Sequence, residues 1–171
     1  MRTTAVFKDP LFLSHNPGFD HVESPERLKG VYQLLEGDSL RRCFLIPEFF
    51  PASHEIIRLN HSQSLINRVL KTAGKIFDIL DPDTKTSPDS YAAACLAVGA
   101  LVKGVDLIVD GTINNGFALV RPPGHHAEEN QSMGFCLFNN VAIAAHYAIE
   151  ILGLERIMIV DWDLHHGNGT Q

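Results

Sequence analysis

With 171 residues, a formal charge of −6 and 45% hydrophobic content, the chain reads as one soluble domain with a sizeable core. The acidic balance excludes the basic stripe of a direct nucleic-acid binder. Three scattered cysteines, Cys43, Cys95 and Cys136, lack the pairing or CxxC spacing of a disulfide or redox framework, which points to reduced thiols and a cytoplasmic setting.

The N-terminus meets Lys8 and Pro10 too soon for a signal-peptide core. No run approaches the roughly 20 apolar residues that a membrane span needs. Residues 4–7 read as an opening strand, and residues 8–25, with three prolines among them, as a long loop. Residues 26–35 predict a helix with Leu28, Val31, Leu34 and Leu35 on one face. Residues 43–46 predict a strand closed by Pro47, and Ser53 and Ser62 cap two short helices reaching to 59 and 71. Residues 81–86 read as a loop leading to Ser87-Pro88-Asp89, a helix start. That helix runs to about Val109, with small residues that permit close approach to a sheet. Residues 116–120 predict a buried strand, stopped by Arg121-Pro122-Pro123-Gly124. Asn139 or Asn140 caps a helix to about Leu152, and residues 156–161 form the last strand. This alternation, with continuous apolar strands, implies an α/β fold: a parallel sheet with helices on both faces.

The densest chemistry lies at Ile159-Val160-Asp161-Trp162-Asp163-Leu164-His165-His166-Gly167. Side chains alternate faces along an extended segment, so Asp161 and Asp163 leave the same side and His165 continues the spacing. The cluster falls at the C-terminal tip of a strand, where open α/β sheets place their ligands. Carboxylate oxygen with imidazole nitrogen suits zinc or a similar divalent ion.

A second cluster, His125-His126, follows a rigid Pro122-Pro123-Gly124 turn. Successive strands of a parallel sheet lie near one another, so this loop and the Asp/His string are expected to share one crevice. Histidine suits both halves of acid–base catalysis, and zinc lowers the pKa of a bound water from about 15.7 toward about 7. Asp161 is placed to accept a hydrogen bond from one tandem ring and fix its tautomer.

Three ordered motifs carry a family resemblance: Arg121 to Ala127, Gly134 to Ala142, and Asp161 to Thr170, with His21-Val22-Glu23-Ser24-Pro25-Glu26-Arg27-Leu28 upstream. Together they resemble the zinc-dependent histone deacetylase family, in its class II and bacterial deacetylase-like branch, which includes acetylpolyamine amidohydrolases. The resemblance implies hydrolysis of N-acetyl amides, with acetyl-lysine peptides or acetylated polyamines as substrates. It implies zinc ligands at Asp163 and His165, a tandem acid/base pair at His125 and His126, and Asp161 supporting His125. Asn168 would pair with His126, where some relatives have Asp; an amide supplies no charge to that ring. Gly134 and Phe135 would line the tunnel for the acyl-lysine stem, with the Gly134 carbonyl receiving the substrate amide. Asp83 resembles the acid at the tunnel rim, with Asp81 a close competitor, and Arg27 resembles the arginine at the tunnel's foot. Backbone oxygens of Asp161, Asp163 and His165 would help hold a structural potassium ion.

Other residues read as structural. His166 is expected to pack behind the site, Trp162 to fill core, Glu128 and Glu129 to form a solvated loop face, and Cys136 to be a small buried apolar group. His15, His54 and His61 have no partner at ligand spacing, and His146 reads as a mid-helix residue. The family's third zinc ligand, a later Asp, and the group that polarises the substrate carbonyl have no counterpart here; Tyr32, Tyr91 and Tyr147 all precede the metal motif. Residues 1–171 are therefore expected to be the N-terminal part of one deacetylase-type domain, building about half of its sheet. The chain is either part of a longer catalyst or an inactive binding or regulatory module. An apolar last strand at a raw sheet edge leaves self-association open.

Overall fold

The computed structural model describes residues 2–37 and 39–171. At its centre, β1 (Thr4–Phe7) pairs in parallel with β4 (Asn115–Ala118), in register from Thr4 opposite Asn115 to Phe7 opposite Ala118. On the other side of β1, the Val6 N–H donates to the Leu45 carbonyl (2.8 Å) and the Leu45 N–H to that of Thr4 (2.9 Å). The strand expected at 43–46 is thus a one-residue parallel bridge at Leu45. A turn closed by the Cys43 N–H on the Leu40 carbonyl and Pro47 leave little else extended. Ala5, Val6 and Phe7 are all buried, as a strand covered on both faces must be. β4 departs from expectation: Asn115, Gly116 and Phe117 are exposed, because no strand among the described residues pairs with its far side.

Around this sheet lie α1 (Leu11–Ser14), α2 (Glu26–Leu35), α3 (His54–Ile57), α4 (Gln63–Leu70), α5 (Ser90–Val109) and α6 (Asn140–His146). α6 runs on into a π-turn at Tyr147–Ile151. Ser62 caps α4 through the Leu65 N–H and Asn139 caps α6 through that of Ala142, satisfying helix-start donors. Ser53 makes no such side-chain bond.

α5 organises the interior. Ala94, Cys95 and Val98 face a core with Ile57, Leu65, Ile66, Phe138 and Ile143. Ala93, Leu96, Ala97 and Ala100 face a second core with Ala5, Phe7, Phe12 and Ile113. At twenty residues, α5 is long and apolar enough to cross a membrane by length and composition, contrary to the expectation that no run reaches that length. Here one part of the helix is buried in the two cores, while Ile108 and Val109 at its end are exposed.

Two further elements differ from expectation. Residues 78–86 form an antiparallel hairpin, β2 (Asp78–Asp81) and β3 (Thr84–Thr86), whose two-residue turn carries Pro82 and Asp83; proline and acids made it read as loop. Residues 156–161 form no strand. Among the described residues no neighbour offers a hydrogen-bonding ladder, and Met158 is left 84% and Trp162 94% exposed. Trp162 is therefore not core.

Candidate active site

The rigid loop after β4 sets the site. Arg121 is buried in a bidentate pair with Glu23, its Nε and Nη2 each 2.6 Å from a carboxylate oxygen, and its Nη1 donates to the Phe12 carbonyl (2.8 Å). Burial pushes the Glu23 carboxyl up, but His15 and Arg121 outweigh it and hold it down at about 2. His15, also buried, has Nδ1 2.7 Å from the Ser90 hydroxyl and Nε2 3.3 Å from Glu23, an approach without good hydrogen-bond alignment. Residues 8–25 are thus not all loop, because α1 interrupts them, and this network ties α1 and the segment after it to the start of α5 and to the loop that carries the histidines.

From there His125 and His126 lie with ring centroids 4.1 Å apart, their planes tilted by 44°. His125 Nδ1 donates to Asp161 Oδ2 (2.9 Å), and its Nε2 lies 3.9 Å from Asp163 Oδ1. One imidazole therefore sits against both carboxylates, which leave the chain on the same side as their spacing predicts, although residues 156–161 build no ladder. Asp161 is held below the ordinary carboxylate range by the Asp163 N–H and by His125. His126 Nδ1 donates to Asn168 Oδ1 (2.7 Å). The Gly169 N–H donates to the His125 carbonyl (3.0 Å), stitching the two motifs together.

Glycines permit this closeness. A Cβ on Gly134 would stand 2.3 Å from the His126 ring, and Gly134 holds φ +57°. A Cβ on Gly167 would stand 2.6 Å from Asp161 Oδ2. Neither position accepts a side chain without displacing His126 or Asp161.

A cavity of about 280 Å³ opens here, lined by Arg27, Asp83, His125, His126, Gly134, Phe135, Asp163 and His165 among others. Asp161 and Asn168 stand behind the tandem rings. Asp83 Oδ1 accepts from the Gly134 N–H (3.2 Å) at the cavity wall, whereas Asp81 accepts from the Asp83 N–H (3.4 Å) and from Gln131 (3.5 Å). The hairpin turn thus puts Asp83, not Asp81, at the rim. Arg27 lies 3.3 Å from Glu23 with its side chain half exposed. The Gly134 carbonyl accepts from the Cys136 thiol (3.3 Å). Burial pushes that thiol up to about 12, as suits a packed apolar group rather than a nucleophile.

Sequence reasoning passed over Glu23, which also lines the cavity. It lies within the quoted upstream segment, but its partner Arg121 is 98 residues away and no local pattern announces the pair. His166 is exposed, bonded to Gln171 (2.7 Å), and not packed behind the site. His61, read as structural, is buried and doubly bonded: Nδ1 donates to the Glu128 carbonyl (2.9 Å), and Nε2 accepts from the Asn139 N–H (2.8 Å). Burial, partly opposed by the Glu128 and Glu129 carbonyls, takes it down to about 4.

Asp163 and His165 bring an oxygen and a nitrogen within 3.1 Å, a donor pair of the kind that zinc takes. Among the described residues no three His, Cys, Asp or Glu side chains converge to hold an ion, and a catalytic zinc normally has three protein ligands. The donors fit in kind; a complete site takes one more than these residues supply.

A family model for the histone deacetylase domain matches residues 21–171. The chain belongs to the histone deacetylase family. A protein of Synechocystis called uncharacterized protein slr0245 is 44% identical over 171 residues, covering 98% of this chain and 56% of the relative. The histone deacetylase-like amidohydrolase of Pseudomonas aeruginosa is 34% identical, covering 99% of this chain and 49% of its own length. Mouse polyamine deacetylase HDAC10 is 42% identical over 88% of this chain and 23% of its own. The crystal structure of the HDA15 HD domain superposes with a TM-score of 0.94 at 36% identity, over 99% of this chain and 49% of that one. The parallel sheet with helices is thus part of the deacetylase fold, and the chain spans about half the length of the first relative and of that structure.

Proposed function

We propose that these residues form the acid–base and part of the metal-binding machinery of a zinc-dependent deacetylase that hydrolyses N-acetyl amides. The observation that carries this reading is the His125 ring lying between Asp161 (2.9 Å) and Asp163 (3.9 Å). It joins the proline-framed loop and the Asp/His string in one cavity. When bound, zinc supplies Lewis-acid activation of water and carbonyl; Asp163 and His165 are the residues that would hold it. Backbone oxygens of Asp161, Asp163 and His165 are the proposed ligands of a structural potassium ion.

The chain's own groups account for orientation and proton movement. His126, with Nδ1 donating to Asn168, turns a bare Nε2 toward the cavity to take a proton from the attacking water. Asp161 fixes the neighbouring His125 ring, and the proton that His126 Nε2 took from the water is handed on to the nitrogen of the leaving amine. The Gly134 carbonyl receives the substrate amide N–H, Asp83 meets the substrate at the rim, and Arg27 faces the departing acetate. Phe135 walls the passage for an aliphatic stem. An acetylated polyamine fits the same demands as an acetyl-lysine peptide, because both present an acetamide on an alkyl chain beside a cationic or N–H-bearing group suited to Asp83. We place the activity in the cytoplasm.

The test is turnover of both substrates by a full-length domain carrying these residues. His126→Ala and Asp163→Ala are each expected to cut kcat by roughly 10² or more, and chelation to abolish activity. Undiminished turnover in either variant contradicts the assignment. Zinc-loaded protein inert to both substrates supports the reading as a non-catalytic binding module.

A further inference from the structure

Glu128 is exposed and reads from sequence as a solvated loop residue, yet its Oε1 accepts from the Asn168 Nδ2 at 2.8 Å. The other end of the same carboxamide, Oδ1, accepts from His126 Nδ1 at 2.7 Å. Weaker contacts run from Nδ2 to the His126 carbonyl (3.4 Å) and the Met133 sulfur (3.6 Å).

A carboxamide has a donating end and an accepting end, and a carboxylate only accepts. Glu128 therefore takes the NH₂ end and leaves the oxygen for His126. An oxygen there requires the proton on Nδ1 and leaves Nε2 bare. Were the amide reversed, its NH₂ would face Nδ1, the proton would move to Nε2, and the ring would lose its basic nitrogen on the cavity side. Asp161 has no such ambiguity toward His125, because both of its oxygens accept. An amide does the same work only if something fixes its direction.

We propose that Glu128 is a positioning residue that sets the tautomer of His126 through the direction of the Asn168 amide. The proposal rests on the deacetylase reading only in calling that nitrogen the base; the relay itself stands on the hydrogen bonds. It also predicts a swap. With Asp at position 168 the ring partner accepts at either oxygen, and the group favoured at 128 becomes a cation.

The test is the His126 tautomer, read from long-range ¹H–¹⁵N imidazole correlations in the 171-residue chain. Wild type is expected to carry Nδ1–H. Glu128→Lys, which offers donors to the amide oxygen, is expected to shift His126 to mainly Nε2–H. Glu128→Lys combined with Asn168→Asp is expected to restore Nδ1–H. Glu128→Gln, isosteric and harmless to the loop, is expected to give a mixture and serves if the lysine perturbs folding. Retention of Nδ1–H alone in both Glu128→Lys and Glu128→Gln overturns the proposal, as does Nε2–H in the double variant. In a full-length domain, Glu128→Lys is expected to lower kcat about 10- to 100-fold with KM little changed, and the double variant to recover it. Absence of turnover in every variant would count against the deacetylase reading, while the tautomer would still judge the relay.

Discussion

His61 shows how a single buried imidazole couples distant parts of the site. One ring nitrogen donates to the Glu128 carbonyl and the other accepts from the Asn139 N–H at the start of α6, so only the neutral ring satisfies both. Its pKa is lowered to about 4, below the unfolded value of about 6.5. Between those two values the unfolded chain binds more protons than the folded one, so stability falls as pH falls. From pH 7 to pH 5 the loss from this group is about 2 kcal/mol. Urea denaturation at the two pH values is expected to show that drop, and His61→Gln to flatten it; an identical pH dependence in the variant contradicts the assignment. His15, lowered chiefly by burial against the pull of Glu23, acts in the same direction and remains in both proteins.

Among the elements, α5 is the most exposed to test, because two opposing effects meet at Gly99. Alanine in a helix interior normally gains about 0.5–1 kcal/mol over glycine. Here a Cβ would lie 1.9 Å from the Phe50 carbonyl oxygen and 3.1 Å from the Ala52 nitrogen, both backbone atoms. The Ala52 N–H also donates to the Cys95 carbonyl (2.9 Å). Gly99→Ala is therefore expected to destabilise by about 1–3 kcal/mol, read as a lower urea midpoint with an unchanged slope; a stabilised variant contradicts the packing. This contact was not legible in sequence, where residue 99 was simply one of several small residues in a helix. The helix itself was legible, since Ser87-Pro88-Asp89 marks its start and apolar residues run to Val109. The hairpin at 78–86 was hidden by Pro82, and the strands at 43–46 and 156–161 by the reverse error. Apolar, β-branched residues signal a strand only when a neighbour supplies hydrogen bonds. That these candidate residues come together was legible because their spacing is local: Asp161, Asp163 and His165 alternate, and His125-His126 sit beside two prolines. Glu23 with Arg121, and Glu128 with Asn168, were not, because those pairings are made by the fold.

At the scale of the whole molecule, the described residues form one side of a deacetylase fold with β4 and residues 156–164 uncovered. Trp162, the chain's one tryptophan, is almost fully exposed. In dilute solution its fluorescence is expected to be that of a solvated indole, as open to iodide quenching as in urea, and to shift to the blue only when another surface covers it. A shielded Trp162 in the dilute chain contradicts the exposed face. The central claim is narrower: the tandem histidines and the Asp/His string form one metal-responsive site. Its most direct measurement is a zinc titration of the ¹⁵N-imidazole-labelled chain. His125, His126 and His165 are predicted to respond together at one stoichiometry, with His54 and His146 unmoved. A response at His165 alone, with the tandem pair unchanged, would contradict the account.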